Sequence, residues 1–250
     1  MAQAETIAVQ FLTPATGPKI AYRHTAGNGP LIVFLPGYMS DMAGGKATAV
    51  FDWAVANDRS CLLLDYSGCG ESGGDFKDGT LSRWRDEVLA LMEHVEAKQV
   101  VLVGSSMGGW LMLLVGLVLG ERLSGMIGIA PAPDFTRWGF TDAQRETIRK
   151  DGVLLQPNPY GPEATPTWAG LYDDGVMHEM LGGPIAIDCP VRILQGQTDT
   201  DVPWKLSLKL AEALQSNDVR VTLIKDGDHR LSRDADVALL IAAVAELVAG

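Results

Sequence analysis

Apolar and polar positions alternate along the chain in short blocks, and the block lengths predict its elements. Residues 7–12, 20–23, 31–35, 61–65, 100–103, 126–129, 191–194 and 219–224 form β-branched or aliphatic runs of four to six residues. Nearly continuous apolar runs of that length are what strands buried on both faces require. The first two flank a Pro/Gly turn at 13–19 and predict an antiparallel hairpin. From the third run onward, strands alternate with helical patterns. Leu81, Trp84, Val88, Leu91, Met92 and Val95 recur at i, i+3/i+4 and predict an amphipathic helix, while 110–119 is apolar all round and predicts a buried one. Helical patterns at 205–214 and 235–248 complete the set. This alternation predicts an α/β protein whose mainly parallel sheet is covered by helices on both faces.

One stretch breaks the rhythm. Residues 134–188 contain no convincing strand pattern. Thr141 and Gln144 form a capping-box pair for a helix that should stop at Gly152, and the Pro- and Gly-rich segment QPNPYGPEATPTWAG follows. A sheet-free stretch of this length inside one domain spanning 1–250 is expected to be a functional insertion, a small lid between strands six and seven.

Composition narrows the function. The chain has 250 residues, 47% of them hydrophobic and 20% charged, with a formal charge of −11. That acidic balance disfavours nucleic acid and anionic membrane surfaces as partners. Residues 1–14 lack the basic start and apolar core of a signal peptide. The most apolar stretch, 110–119, is half a membrane span, so Gly116-x-x-x-Gly120 reads as small residues that let a buried helix approach the sheet. Cys61, Cys69 and Cys189 are an odd count without metal spacing. Free thiols in a reducing compartment, hence a cytoplasmic location, are expected, with no metal and no organic cofactor.

Candidate chemistry centres on two G-x-S-x-G strings, Gly104-Ser105-Ser106-Met107-Gly108 and Gly70-Glu71-Ser72-Gly73-Gly74. A nucleophile elbow needs a strand running into its first glycine and a helix leaving its last. Only Ser106 has that frame. Ser105 should point elsewhere and bond locally, and Ser72, followed by polar DFKDGT, should sit in a turn at the site rim. The overlapping Gly68-x-Gly70-x-x-Gly73 opens no helix, which argues against a dinucleotide site. His229, in the polar loop after the last strand, is the candidate base. His94 reads as a solvated helix face, and His24 and His178 are lesser candidates. Asp199, just past the seventh strand, is the preferred orienting acid. Asp201 could instead cap a helix beginning near Pro203, and Asp134 is a further alternative. The main-chain N–H groups of Met107 and of Tyr38, which follows Gly37 after the third strand, are the candidate oxyanion donors.

The strings LPGYMSDMAGGKA, LDYSGCGESGG, TLSRWRDEV, VGSSMGGWLML and GDHR together resemble the α/β-hydrolase superfamily across essentially the whole chain. Within it they resemble the α/β-hydrolase-domain group, in particular its palmitoyl-protein thioesterase that also cleaves acyl-glucuronides. The resemblance implies the α/β-hydrolase fold, with an eight-stranded sheet. It also implies a serine hydrolase that cleaves acyl esters or thioesters through Ser106, Asp199 and His229 by way of an acyl-enzyme. The partner would be a small-molecule or S-acylated substrate. A cofactor-free haloperoxidase or lyase would use the same triad, and a non-catalytic binding module would keep only the pocket. In the insertion, Trp138 and Trp168, with Phe140, Leu171, Tyr172 and Met177, are expected to line an acyl pocket or to pack the insertion onto the core.

Overall fold

The computed structural model describes residues 7–14, 16–158 and 161–249. Pro159 and Tyr160, within the Pro/Gly-rich stretch, lie outside the described residues. In the first half, β1 (Gln10–Leu12), β2 (Ile20–Thr25) and β3 (Asn28–Leu35) precede α1 (Gly45–Ala56), β4 (Arg59–Leu64) and α2 (Leu81–His94). The central strand β5 (Val100–Ser105) runs into α3 (Met107–Leu119) and then β6 (Leu123–Ile129). The insertion holds α4 (Phe135–Trp138), α5 (Asp142–Asp151), β7 (Val153–Gln156), β8 (Thr165–Trp168) and α6 (Ala169–Met177). The chain then returns as β9 (Val191–Gly196), α7 (Lys205–Ala213), β10 (Val219–Ile224) and α8 (Asp234–Ala249).

Among the described residues one eight-stranded sheet forms in the order β1-β2-β4-β3-β5-β6-β9-β10. The β1–β2 pair is antiparallel and the sheet mainly parallel, as the sequence pattern predicts; the β2–β4 pair is antiparallel as well. Alternation sorts each strand between two cores. Leu31, Val33, Leu35, Val100 and Leu102 face Trp84, Val88, Trp110 and Leu113 from α2 and α3. Ile32, Phe34, Val101 and Val103 face Val50, Phe51, Leu240 and Val244 from α1 and α8. Both faces of the central strands are therefore dry, which explains their unbroken apolar sequence.

Three expectations change. The insertion does contain strands: β7 and β8 pair antiparallel as a separate two-stranded sheet, with Gln156 opposite Thr165. Helix α1 has no counterpart among the predicted helices. Its buried face, Ala47, Val50, Phe51 and Ala54, is built largely from small residues, and it starts at Gly44 without a side-chain cap. The end of α3 is not buried all round, since Leu117 and Val118 are 43% and 58% exposed. The capping box at Thr141 and Gln144 forms as expected, and the helix stops at Gly152 with φ +78°. Among the described residues no helix is long and apolar enough to cross a membrane.

Candidate active site

Parallel strands deliver their following loops to one edge of a sheet, and the preferred candidates lie on such loops at that edge. Gly37 and Tyr38 follow β3, Ser106 follows β5, Asp199 follows β9 and His229 follows β10. Ser106 sits between β5 and α3 at φ +54° and ψ −119°, a conformation that non-glycine residues rarely adopt. Its amide donates to the Ile129 carbonyl at 2.9 Å, and its carbonyl accepts from Gly109 at 2.9 Å and Ala132 at 3.0 Å. These bonds from both flanks hold the strained turn.

The flanking glycines are steric requirements. A Cβ on Gly104 would lie 2.4 Å from the Gly108 carbonyl oxygen, and one on Gly108 would lie 2.1 Å from the Leu35 oxygen.

The structure brings Ser106, His229 and Asp199 together although the first two are 123 residues apart. His229 Nε2 is 3.1 Å from Ser106 Oγ, and His229 Nδ1 is 2.9 Å from Asp199 Oδ2. The Asp199 side chain is fully buried. Burial by itself would raise its carboxyl, but bonds from the His229 ring and the Val202 and Asp201 amides outweigh burial and hold it below the ordinary value. Two amides, from Asp201 and Val202, donate to Oδ1 at 2.8 Å, and Gln195 Nε2 donates to Oδ2 at 2.9 Å. Buried Gln195 is itself oriented by the Ser207 hydroxyl at 2.8 Å. The sequence pattern marks Gln195 only as a polar residue ending an apolar strand.

The loop carrying His229 is fixed from several sides. Thr198 Oγ1 donates to the Gly227 carbonyl at 2.7 Å, Leu231 N donates to Asp228, and Lys46 Nζ donates to the Arg230 carbonyl. Burial lowers the Lys46 amine, and the neighbouring Arg230 charge adds to that shift.

The competing residues have other partners. Asp201 is not the cap of α7, whose N-cap residue Trp204 makes no side-chain cap bond. Asp134 turns its carboxylate to the Met180 and Leu181 amides, at 2.9 and 2.8 Å, and so ties the insertion's far end to its beginning. Ser72 is not in a loose turn, because its hydroxyl donates to the Asp65 carbonyl at 2.7 Å and accepts from the Ala21 amide at 2.8 Å. His94 is not simply solvated, its Nε2 lying 3.0 Å from the Tyr22 hydroxyl. His24 meets Ser60. His178 Nε2 lies 2.7 Å from Ser82 Oγ, but there Asp174 bonds the serine rather than orienting the far side of the ring. The expected local bond of the Ser105 hydroxyl is not made among the described residues; Ser105 lines the cavity.

That cavity, about 750 Å³, opens over Ser106 and His229. One wall is the loop after β3, including Gly37 and Tyr38; another is Phe135, Trp138 and Phe140 of the insertion; Thr165 and Thr167 of β8 complete it. Trp168 does not line it. Side chains alternate along a strand, so a strand that turns Thr165 and Thr167 to the cavity turns Trp168 away. Met107, whose amide starts α3, and Tyr38 both border the space above Ser106. The loop bearing Tyr38 is braced by the Tyr66 hydroxyl on the Pro36 carbonyl at 3.1 Å and by Asp65 accepting from the Met42 amide at 2.7 Å. The Tyr38 hydroxyl reaches across to the Pro166 carbonyl of the insertion at 2.5 Å.

Residues 32–244 match the model of the alpha/beta hydrolase family. A human protein named mitochondrial palmitoyl-protein thioesterase ABHD10 is 34% identical over 96% of this chain and 80% of its own length. Among solved structures, a putative hydrolase from Agrobacterium vitis superposes with a TM-score of 0.92 at 39% identity, covering 98% of this chain and all of that one. Mouse alpha/beta hydrolase domain-containing protein 10 superposes at 0.89 with 36% identity, over 96% of this chain and 98% of that one. The mitochondrial name shared by the human, orangutan, mouse, bovine and rat relatives overturns the expected cytoplasmic location, which rested only on composition and the first residues.

Proposed function

The chain belongs to the alpha/beta hydrolase family, and on that footing we propose that it hydrolyses acyl esters or thioesters with Ser106 as nucleophile. One observation carries this reading. The Ser106 hydroxyl, His229 ring and Asp199 carboxylate form a bonded series at 3.1 and 2.9 Å, and Ser106 and His229 line a cavity that Phe135, Trp138 and Phe140 wall on one side. Thioesters enter the reading through the relatives named palmitoyl-protein thioesterase.

His229 Nε2 takes the Ser106 proton as Oγ adds to the acyl carbonyl. Asp199 holds the Nδ1–H tautomer and stabilises the imidazolium. The Tyr38 and Met107 amides receive the oxyanion. As the tetrahedral intermediate collapses, His229 returns the proton to the departing alkoxide or thiolate and leaves Ser106 acylated. A water then repeats the sequence with His229 as base and releases the acid. Residues 134–188 act as the acyl-selecting cover, with Trp138 touching the chain. A pure binding module has no use for a strained serine held at bonding distance from an oriented imidazole.

The test is an activity profile over p-nitrophenyl esters and S-acyl thioesters for the parent protein and Ser106→Ala, with a fluorophosphonate adduct mapped by mass spectrometry. Loss of about 10⁶ in kcat and an adduct on Ser106 are expected. An adduct on Ser72 or Ser105 overturns the assignment, and a panel with no ester or thioester turnover overturns the reaction class.

A further inference from the structure

The loop after β3 contains a hydroxyl that the mechanism above does not use. It turns at Gly37 and closes when the Ser40 amide donates to the Gly37 carbonyl at 3.1 Å. Between them Met39 takes φ +54°. A non-glycine residue there costs on the order of 1 kcal/mol or more, and strain of this kind persists where the surroundings enforce it, often beside a reacting centre. Packing does not explain it, because Met39 is 42% exposed. The strained residue folds the chain back so that Ser40 stands over Gly37.

The space at Gly37 shows where this puts the hydroxyl. The position a Cβ would occupy on Gly37 is 3.4 Å from Ser106 Cβ and 3.8 Å from Ser40 Oγ. That one methyl-sized position, which also lies 3.3 Å from the Ser105 carbonyl oxygen, is therefore within 4 Å of both the nucleophile's Cβ and the Ser40 hydroxyl. Ser40 lines the cavity, and its hydroxyl has no protein partner among the described residues. Its proton can turn toward a substrate without breaking a bond in the protein.

We propose that the Ser40 hydroxyl is a third donor to the oxyanion formed on the carbon bonded to Ser106, beside the Tyr38 and Met107 amides. The inference rests on Ser106 being the nucleophile. The group adds no covalent step: its O–H donates to the tetrahedral oxygen and turns back to solvent when the intermediate collapses. A bond from a neutral hydroxyl to a full oxyanion is about twice as strong as one to a ground-state carbonyl. The gain therefore falls on the transition state and appears in kcat rather than KM. Ser40 is on the same loop as Tyr38, so one short segment supplies a fixed amide and a rotatable hydroxyl.

The experiment compares Ser40→Ala, Ser40→Thr and Ser106→Ala on a p-nitrophenyl ester and on an S-acyl thioester. Affinity for a trifluoromethyl ketone, which forms a tetrahedral adduct on the serine, is measured in parallel. Ser40→Ala is expected to lower kcat about ten- to hundredfold, at or below the lower limit of what loss of one oxyanion donor does, with KM within about twofold. Ketone affinity should fall by the same factor as kcat/KM, and Ser40→Thr should recover most of both. The proposal is overturned if Ser40→Ala keeps kcat within about twofold, if its loss lies in KM alone, or if ketone affinity is unchanged while kcat falls. If Ser106→Ala remains active, the nucleophile assignment fails instead, so the two failures are distinguishable.

Discussion

Gly108→Ala probes how closely α3 approaches the loop that carries Tyr38. The added Cβ would lie 2.1 Å from the Leu35 oxygen, 2.5 Å from the Pro36 oxygen and 2.8 Å from the Leu35 carbonyl carbon. A carbon and a carbonyl oxygen in non-bonded contact need about 3.3 Å, so the backbone must give by roughly 1 Å. Leu35 pairs with Gly104 in the parallel β3–β5 ladder, and the Pro36 carbonyl is held by Tyr66. The displacement is therefore passed to Gly37 and Tyr38. A misplacement of about 1 Å in a catalytic group costs on the order of 10² in rate. Overpacking costs roughly 1–3 kcal/mol of stability, and each kcal/mol lowers Tm by about 2–4 °C in a chain of this size. The assay is kcat and KM on a short p-nitrophenyl ester well below Tm, normalised to fluorophosphonate-titratable Ser106, beside a thermal melt. Gly183→Ala, whose Cβ meets nothing within 4 Å, serves as the control. A Gly108→Ala protein within about threefold of the parent in kcat/KM would refute the reasoning, because the loop would have absorbed the clash without moving the Tyr38 amide.

Two further changes test other parts of the structure. Trp138→Ala removes a ring that lines the cavity and bonds the Pro133 carbonyl at 2.8 Å. At about 0.8 kcal/mol per buried methylene, losing two or three contacts should cost a long acyl chain roughly ten- to fiftyfold and an acetyl ester little. An unchanged chain-length profile in a folded variant would make Trp138 a packing residue. Glu87 is buried, its Oε1 and the Ser67 hydroxyl have no hydrogen-bond partner among the described residues, and burial pushes its carboxyl up against the lowering bond from the Ser67 amide. A raised acid contributes stability below its unfolded pKa of about 4.3 that is lost as pH rises through the folded value. Glu87→Gln should therefore stabilise the protein by about 1 kcal/mol at pH 8 and give little at pH 4, as read by denaturant melts. An equal gain at both pH values would contradict burial as the cause.

The sequence by itself determined the elements whose signal is local. A strand dry on both faces must be apolar throughout, so β3, β5 and β6 were legible, as were the Thr141–Gln144 cap and the glycines around Ser106. The order Ser106, Asp199, His229 was legible for the same reason, each following an apolar run. The β7–β8 hairpin was not, because Pro166 and two threonines make β8 look like loop and its pairing is supplied by β7. Helix α1 was obscured by a buried face of small residues and an uncapped glycine start. The sequence preferred Asp199 to Asp201, both of which follow β9, and the tertiary structure adds that the Asp199 carboxylate lies 2.9 Å from His229 Nδ1. The tertiary structure alone placed Gln195 behind Asp199, turned Trp168 from the cavity and set Ser40 and Ser106 on one cavity close to Gly37. Periodicity records which way a side chain faces on its own element. Which side chains meet at the sheet edge depends on strand order and loop path, and those are set by packing over long separations in the chain.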